Sequence, residues 1–220
     1  QAKEYRILHI SSCFPRKGID ILLKAYGRAF TIDDNVSLII KTFDNPHNNI
    51  ENILLDEKKL NPNFPDVVIL KEDLKLEQLK SLYLNSNVLV APSRGEGFGL
   101  PIGEAMRLGI PVITTSWGGQ LDFCNEQNSW LIDYKFKKAK SHFQIDNSYW
   151  AEPSCTDLEK LLKVVYSAPK SEITKRTNLA KEQVKLMSWD NLAKENKLFV
   201  EENLRTFYNE YSKIGILTTW

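Results

Sequence analysis

Two glutamates separated by seven residues, Glu96 and Glu104, flank the turn Gly97-Phe98-Gly99-Leu100-Pro101. A carboxylate accepts two hydroxyl protons at once, which is how proteins hold vicinal diols. Glycines on both sides of an aromatic let backbone approach a ligand closely, and seven of the chain's ten glycines lie between Gly95 and Gly119. The turn opens a helix read over Leu100–Leu108, so bare N–H groups and the positive end of a helix dipole are presented there, a setting that suits phosphate. Carboxylates beside phosphate would repel it unless they had hydroxyl groups to bind, and a nucleotide carrying a sugar supplies both. The plain alternative makes Glu104 a solvated helix face and Glu96 a loop charge; the Gly97-Phe98-Gly99 insert weighs against it.

Cations follow the first strand. Arg16-Lys17-Gly18 is read as the opening of the first helix, where positive charge opposes the helix dipole. Placed on the same rim as the glycine turn, Arg16 and Lys17 would neutralise a diphosphate and stabilise it as a leaving group. Lys41, at the end of the second strand, either reaches this cleft or is solvated. Trp117-Gly118-Gly119-Gln120 permits close approach, either to a sugar or within an ordinary turn. Other chemistry lacks its pattern. His9, His47 and His142 have no partners at metal or triad spacing, no Asp-x-Asp follows a strand, and there is no Walker A motif. Gly95-x-Gly97-x-Gly99 departs from the dinucleotide G-x-G-x-x-G and follows the fourth strand rather than the first. No metal and no cofactor beyond the donor substrate is expected. Lys135, Lys137, Lys138 and Lys140, interleaved with Phe136 and Phe143, read as a solvated loop, with contact to an anionic surface as the alternative.

The elements that must position these groups alternate. Strands are predicted at Arg6–Ile10, Val36–Ile40, Val67–Leu70, Val88–Val90, Val112–Thr115 and Trp130–Ile132, and helices at Ile19–Phe30, Ile50–Leu60, Leu76–Asn85 and Leu100–Leu108. Such alternation implies an α/β fold, a Rossmann-like parallel sheet with helices on both faces. Ligands of such sheets sit beyond the carboxyl ends of the strands, and the candidate residues near 11–18, 41–47, 71–73, 93–99 and 116–120 all follow strands. Tyr134–Tyr149 reads as a polar loop. Ser154 and Asp157 are placed to cap a helix running to about Val165, and Glu172–Met187 and Asp190–Tyr211 read as C-terminal helices with Trp189 between them.

Composition bounds the rest. The chain has 220 residues, 42% hydrophobic and 26% charged, with net charge +1, so it can bury one good core and has no general drive toward nucleic acid or anionic membrane. No run reaches the roughly 18 apolar residues of a membrane span, and the opening QAKEYRILHISS does not read as a secretory signal. Cys13, Cys124 and Cys155 are odd in number and without metal spacing, which reads as reduced thiols in a cytoplasmic protein.

The segment PSRGEGFGLPIGEAMRLGIPVITT resembles the signature of retaining glycosyltransferases of family 4, which have the GT-B fold, with Glu96 and Glu104 at the places of that family's E-x7-E motif. RKGIDILLKAY resembles its first Lys-Gly helix, and VVILKEDLKLEQLKSLYLNSNVLVAPS the segment leading into the signature. The similarity covers roughly residues 6–132 and continues more loosely to about 210. It implies one half of a GT-B enzyme, the half that binds the nucleotide-sugar donor (a UDP-, GDP- or ADP-sugar), acting without metal and with retention. By position it implies Glu104 on the ribose hydroxyls and Glu96 on the sugar hydroxyls. Gly97, Phe98, Gly99 and Leu100 would lie against sugar and diphosphate, and Lys17 on the diphosphate. The base would lie near Leu70–Asp73, Glu72 among them, with Lys41, Gly118 and Gly119 lining the rest of the donor site. The family's arginine five residues before the lysine is replaced here by Ser12, and Arg16 is the expected substitute.

The resemblance further implies a nucleotide-sugar-binding domain at 1–187 and a helix at 188–212 that packs on an acceptor-binding N-terminal half. Residues 213–220 are read as the first strand of a following domain, which would make the chain a piece of a longer tandem enzyme, with a disordered or helix-packing tail as the alternative. The parent enzyme is expected to move a hexose to a glycan or lipid-linked acceptor in bacterial surface polysaccharide synthesis, in the cytoplasm or peripherally at the inner membrane. A non-catalytic nucleotide-sugar binding module is the alternative from another class. Another GT-B enzyme (a synthase, phosphorylase or epimerase) is the alternative from the same one.

Overall fold

The computed structural model of the chain describes residues 3–140, 147–187, 191, 193–194 and 197–203. Six strands form one parallel sheet: β1 (Tyr5–Ile10), β2 (Val36–Lys41), β3 (Asp66–Leu70), β4 (Val88–Ala91), β5 (Val112–Thr115) and β6 (Trp130–Ile132). Their spatial order is β3-β2-β1-β4-β5-β6. The helices are α1 (Ile19–Ala29), α2 (Ile50–Leu60), α3 (Leu76–Leu84), α4 (Leu100–Leu108), α5 (Cys155–Ser167) and α6 (Lys170–Leu186). Strands read from the sequence fall within about two residues of these bounds.

The strands are apolar on both faces because helices cover both. Ile7, Leu38, Ile40, Val88, Val90 and Ile113 join one core with Leu22 and Leu23 of α1 and Leu158 and Leu162 of α5. The alternate residues Leu8, Ile39, Leu89 and Val112 join a second core with Ile102 and Met106 of α4 and Ala180 of α6. Side chains of a strand point alternately to its two faces, so one short apolar run feeds both cores. The chain builds outward from β1 to β3 and then returns to place β4 on the other side of β1. That reversal leaves a crevice at the carboxyl ends of β1 and β4, the switch point at which such sheets bind ligands.

Tyr134–Tyr149 is not a loop throughout. β7 (Tyr134–Lys138) pairs antiparallel with β8 (Tyr149–Pro153). Lysines at 135, 137 and 138 hid the strand period, yet the cross-strand partners are favourable: Lys135 opposite Glu152, and Lys137 opposite Trp150. Oppositely charged and aromatic cross-strand pairs of this kind stabilise a ladder. Ser154 caps α5 by accepting the Asp157 N–H, while the Asp157 carboxylate accepts the N–H of Asp133 and so ties α5 to the end of β6. The described residues 191, 193–194 and 197–203 are helical, within the span read as the last helix. His142, Phe143, Trp189, the remainder of that helix and residues 213–220 lie outside the described residues. Among the described residues no helix is long and apolar enough to cross a membrane.

Candidate functional site

The loops leaving β1 and β4 flank the switch point and are joined to each other. Pro15–Lys17 forms a short 3-10 turn and α1 begins only at Ile19, so Arg16 and Lys17 precede the helix rather than open it. Gly18 has φ +69°, and a Cβ there would come within 2.0 Å of the Pro92 carbonyl oxygen at the end of β4. Both conditions require glycine. The Arg94 N–H donates to the Arg16 carbonyl at 2.7 Å.

Across this joint the two cations meet Glu96. Lys17 Nζ donates to both carboxylate oxygens, at 2.9 Å to Oε2. Arg16 Nη1 lies 3.4 Å from Glu96 Oε2 and 3.1 Å from the Gly95 carbonyl. The Glu96 side chain is only 9% exposed and Arg16 is 43% exposed. The cluster therefore keeps one positive charge in excess, and Arg16 is the more exposed of its two cations.

Arg94, which the sequence reading did not single out, organises this corner. It is 4% exposed. Its Nη1 and Nη2 grip the Asp20 carboxylate at 2.8 and 2.7 Å, and its Nε and Nη2 grip Glu152 at 2.6 and 2.9 Å. The second Nη1 proton goes to the Pro15 carbonyl. All five guanidinium protons are thus satisfied, the condition under which a buried Arg is tolerated. Trp150 of β8 stacks on the guanidinium at 4.8 Å. One side chain therefore binds the β1 loop, α1, the β4 loop and the hairpin. It lies inside the quoted segment, but nothing in its spacing distinguished it from a solvated arginine.

The Gly118-Gly119 pair makes its close approach to the chain itself. The Gly119 N–H donates to Glu96 O at 2.9 Å, and a Cβ on Gly119 would fall 1.8 Å from Gly97 O. Gln120 braces this turn from below, donating to the carbonyls of Thr115 and Trp117. Gly95 and Gly97, in contrast, face open space within 4 Å of where a Cβ would stand. Gly99, at φ +86°, caps α4, and Pro101 occupies its first turn. Among the described residues, the N–H groups of Phe98, Gly99 and Leu100 have no acceptor. They stand at the positive end of α4, where helix starts commonly take up anions. The Phe98 ring packs on Phe123 at 5.1 Å, and Leu100 is exposed.

Below this rim lies a cavity of about 420 Å³ whose wall includes Ser12, Lys17, Lys41, Phe43, Asp73 and Pro101. Ser12 is fixed by Asn45, whose amide donates to its carbonyl at 2.9 Å. Lys41 is half-buried and bonds the Thr42 carbonyl at 2.8 Å. Glu72 is exposed and stands beside the wall rather than on it. Glu104 is also exposed. It faces an adjoining groove of about 250 Å³ between α3 and α4, which shares Leu79 with the cavity. Its Oε2 accepts a hydrogen bond from Tyr83 at 2.6 Å. Among the described residues no cluster of three or more His, Cys, Asp or Glu is placed to hold a metal.

His9 links the two strands at the switch point. The ladder between β1 and β4 spans only Ile7–Leu8 against Val88–Leu89; beyond it the His9 ring bridges the strands, 2.8 Å from the Val90 carbonyl and 2.8 Å from Ser11 Oγ. The carbonyl can only accept, so Nδ1 carries the proton and Nε2 accepts from Ser11. Burial, reinforced by the charge of Lys17, lowers the pKa of this imidazole to about 4. The unfolded chain takes up that proton near pH 6.5, the folded one only near pH 4. Stability is therefore intact above pH 6.5 and falls below it, by about 1.4 kcal/mol per pH unit. Urea titrations should show about 2 kcal/mol less stability at pH 5 than at pH 6.5, and a His9→Gln protein should lack that component. An unchanged slope in the variant would show that other groups set the acid limb.

A parallel sheet of this strand order, with helices on both faces and further helices at its C-terminal end, matches one half of a GT-B fold. A sequence model of the family described as Glycosyl transferases group 1 matches residues 1–145, and the chain belongs to that family. It is 35% identical over 118 residues to the capsular polysaccharide biosynthesis glycosyltransferase CapM of Staphylococcus aureus, covering 53% of this chain and 30% of CapM. A glycosyltransferase of Rickettsia africae superposes with TM-score 0.71 at 18% identity, over 91% of this chain and 48% of that one. HepE of Anabaena, solved in complex with UDP and glucose, superposes with TM-score 0.68 at 17% identity, over 93% of this chain and 49% of HepE. The chain spans 21% to 30% of the length of the curated relatives it matches.

Proposed function

We propose that this chain is the donor-binding domain of a retaining, metal-independent glycosyltransferase of family 4. In the whole enzyme a hexose would pass from a nucleoside-diphosphate sugar to a hydroxyl of a glycan or lipid-linked acceptor. The observation that carries this reading is the Lys17–Glu96–Arg16 cluster set across the switch point, beside three N–H groups without acceptors. Lys17, Arg16 and the α4 dipole bind the diphosphate and stabilise it as the anomeric C–O bond breaks. Glu96 accepts hydroxyls of the sugar. Glu104 accepts those of the ribose, and the base lies toward Asp73 and Phe43 in the cavity. Retention places the attacking oxygen on the face the diphosphate leaves. The likeness to CapM supports an acceptor in surface polysaccharide synthesis, and the likeness to HepE supports a UDP-linked donor. An acceptor-binding half in the parent chain, working at the cytoplasmic side of the inner membrane, completes the proposal.

Calorimetric titration with UDP, GDP and ADP tests it. One nucleotide should bind, and Glu104→Ala should weaken it by about 1–3 kcal/mol, the cost of an unmade hydrogen bond to a charged partner. Failure of all three to bind the folded chain, or indifference to Glu104→Ala, would sink the donor assignment. Transfer lost on Glu96→Ala in the whole enzyme separates a catalytic domain from a mere binding module.

A further inference from the structure

Tyr83 lies on α3, 2% exposed, with its hydroxyl between two acceptors: Glu104 Oε2 at 2.6 Å and the Pro101 carbonyl at 3.4 Å. A phenol has one proton to give, and the shorter distance is that of a charge-assisted O–H···O⁻ bond. Burial first, and then the neighbouring carboxylate, push the Tyr83 phenol well above its usual range, so it remains a donor at any working pH. Glu104 is otherwise an exposed side chain on α4, and among the described residues no cation pairs with it, although Lys80 and Arg107 line the same groove. Its Oε1 has no donor among the described residues. The Tyr83 bond is therefore what selects one rotamer of Glu104 from those a free glutamate samples, and it occupies one oxygen while leaving the other open. The same hydroxyl lies near Pro101, which is on the wall of the nucleotide cavity.

We propose that Tyr83 is the positioning residue for nucleoside recognition, locking the Glu104 carboxylate so that its remaining oxygen meets the sugar hydroxyls of the nucleoside. The choice of ribose over deoxyribose then depends on a side chain that touches no ligand. This rests on the ribose role proposed for Glu104.

The test compares each nucleoside diphosphate with its 2′-deoxy counterpart by calorimetry, on the 220-residue chain and on Tyr83→Phe. That variant keeps the ring in the core, and thermal unfolding confirms the fold. The unaltered chain should prefer the ribonucleotide by about tenfold. Tyr83→Phe should shrink that preference to about threefold or less, with a smaller loss of affinity for the 2′-deoxy compound, which keeps its 3′-hydroxyl, and should have no further effect in a Glu104→Ala background. A preference that survives intact in Tyr83→Phe overturns the positioning role while leaving Glu104 on the ribose. Binding without any ribose preference in the unaltered chain removes the ribose role of Glu104, and this inference with it.

Discussion

An Arg94→Leu protein should lose about 3–5 kcal/mol of unfolding free energy, the cost of leaving one half of a buried ion pair without its partner. For a chain of this size that corresponds to a fall of roughly 10 °C in Tm. The dominant part is Glu152, whose side chain is 13% exposed and would keep its charge with no counter-ion; Asp20, 45% exposed, recovers water more easily. Arg94→Lys should rescue little, because a point charge cannot span two carboxylates and a carbonyl in one plane. Replacing both members, Arg94→Leu with Glu152→Leu, should restore part of the loss. Differential scanning calorimetry distinguishes these cases, and a loss below about 1 kcal/mol in the single variant would show that the corner is held by its backbone bonds instead. The same variant should weaken nucleotide binding, since Arg94 carries Pro15 and the turn that presents Arg16 and Lys17.

Glu96→Gln should divide the two halves of the donor. In the ligand-free site Glu96 competes for Lys17 and Arg16. Neutralising it frees both cations, so the nucleoside diphosphate alone should bind about fivefold to tenfold tighter, on the scale of one charge-assisted hydrogen bond. The nucleotide sugar should gain nothing, because the amide is a poorer acceptor for its hydroxyls. In the whole enzyme, transfer should fall by about 10²–10³, as when a group stabilising the transition state is removed. Calorimetry of the chain with the diphosphate and with its sugar conjugate reads the split directly. Equal weakening of both would place Glu96 as a structural clamp on the two loops and remove it from the sugar.

The parallel sheet was legible because buried parallel strands are short apolar runs punctuated by glycine and proline, and β4–α4–β5 carries all of these signals. The hairpin β7–β8 was not, because its period is written in lysines, whose polarity looks like loop, and its justification is a tertiary one: Glu152 and Trp150 stand where Arg94 needs them. That Lys17 and Glu96 share one rim was readable, since each sits beside a glycine and after a strand; their ion pair was not. Tyr83 and Arg94 were not, because a tyrosine on an amphipathic helix and an arginine in a loop look alike whether they brace a site or merely pack. The Gly118-Gly119 pair shows the opposite case. The close approach was foreseeable from the residue type, but its partner, the carbonyl of Gly97, is set by how three loops stack.

Those stacked loops have a thermodynamic consequence. The Arg94 N–H to Arg16, the Gly119 N–H to Glu96 and the Arg94 guanidinium to Pro15 join the segments after β1, β4 and β5 into one body before any ligand arrives. Ordering a flexible loop costs roughly 1–2 kcal/mol per residue fixed, and here that entropy is already lost in folding. Under the proposed donor role, a nucleotide entering the crevice would meet a preorganised wall, so the free energy of its contacts would go into affinity rather than into freezing the protein.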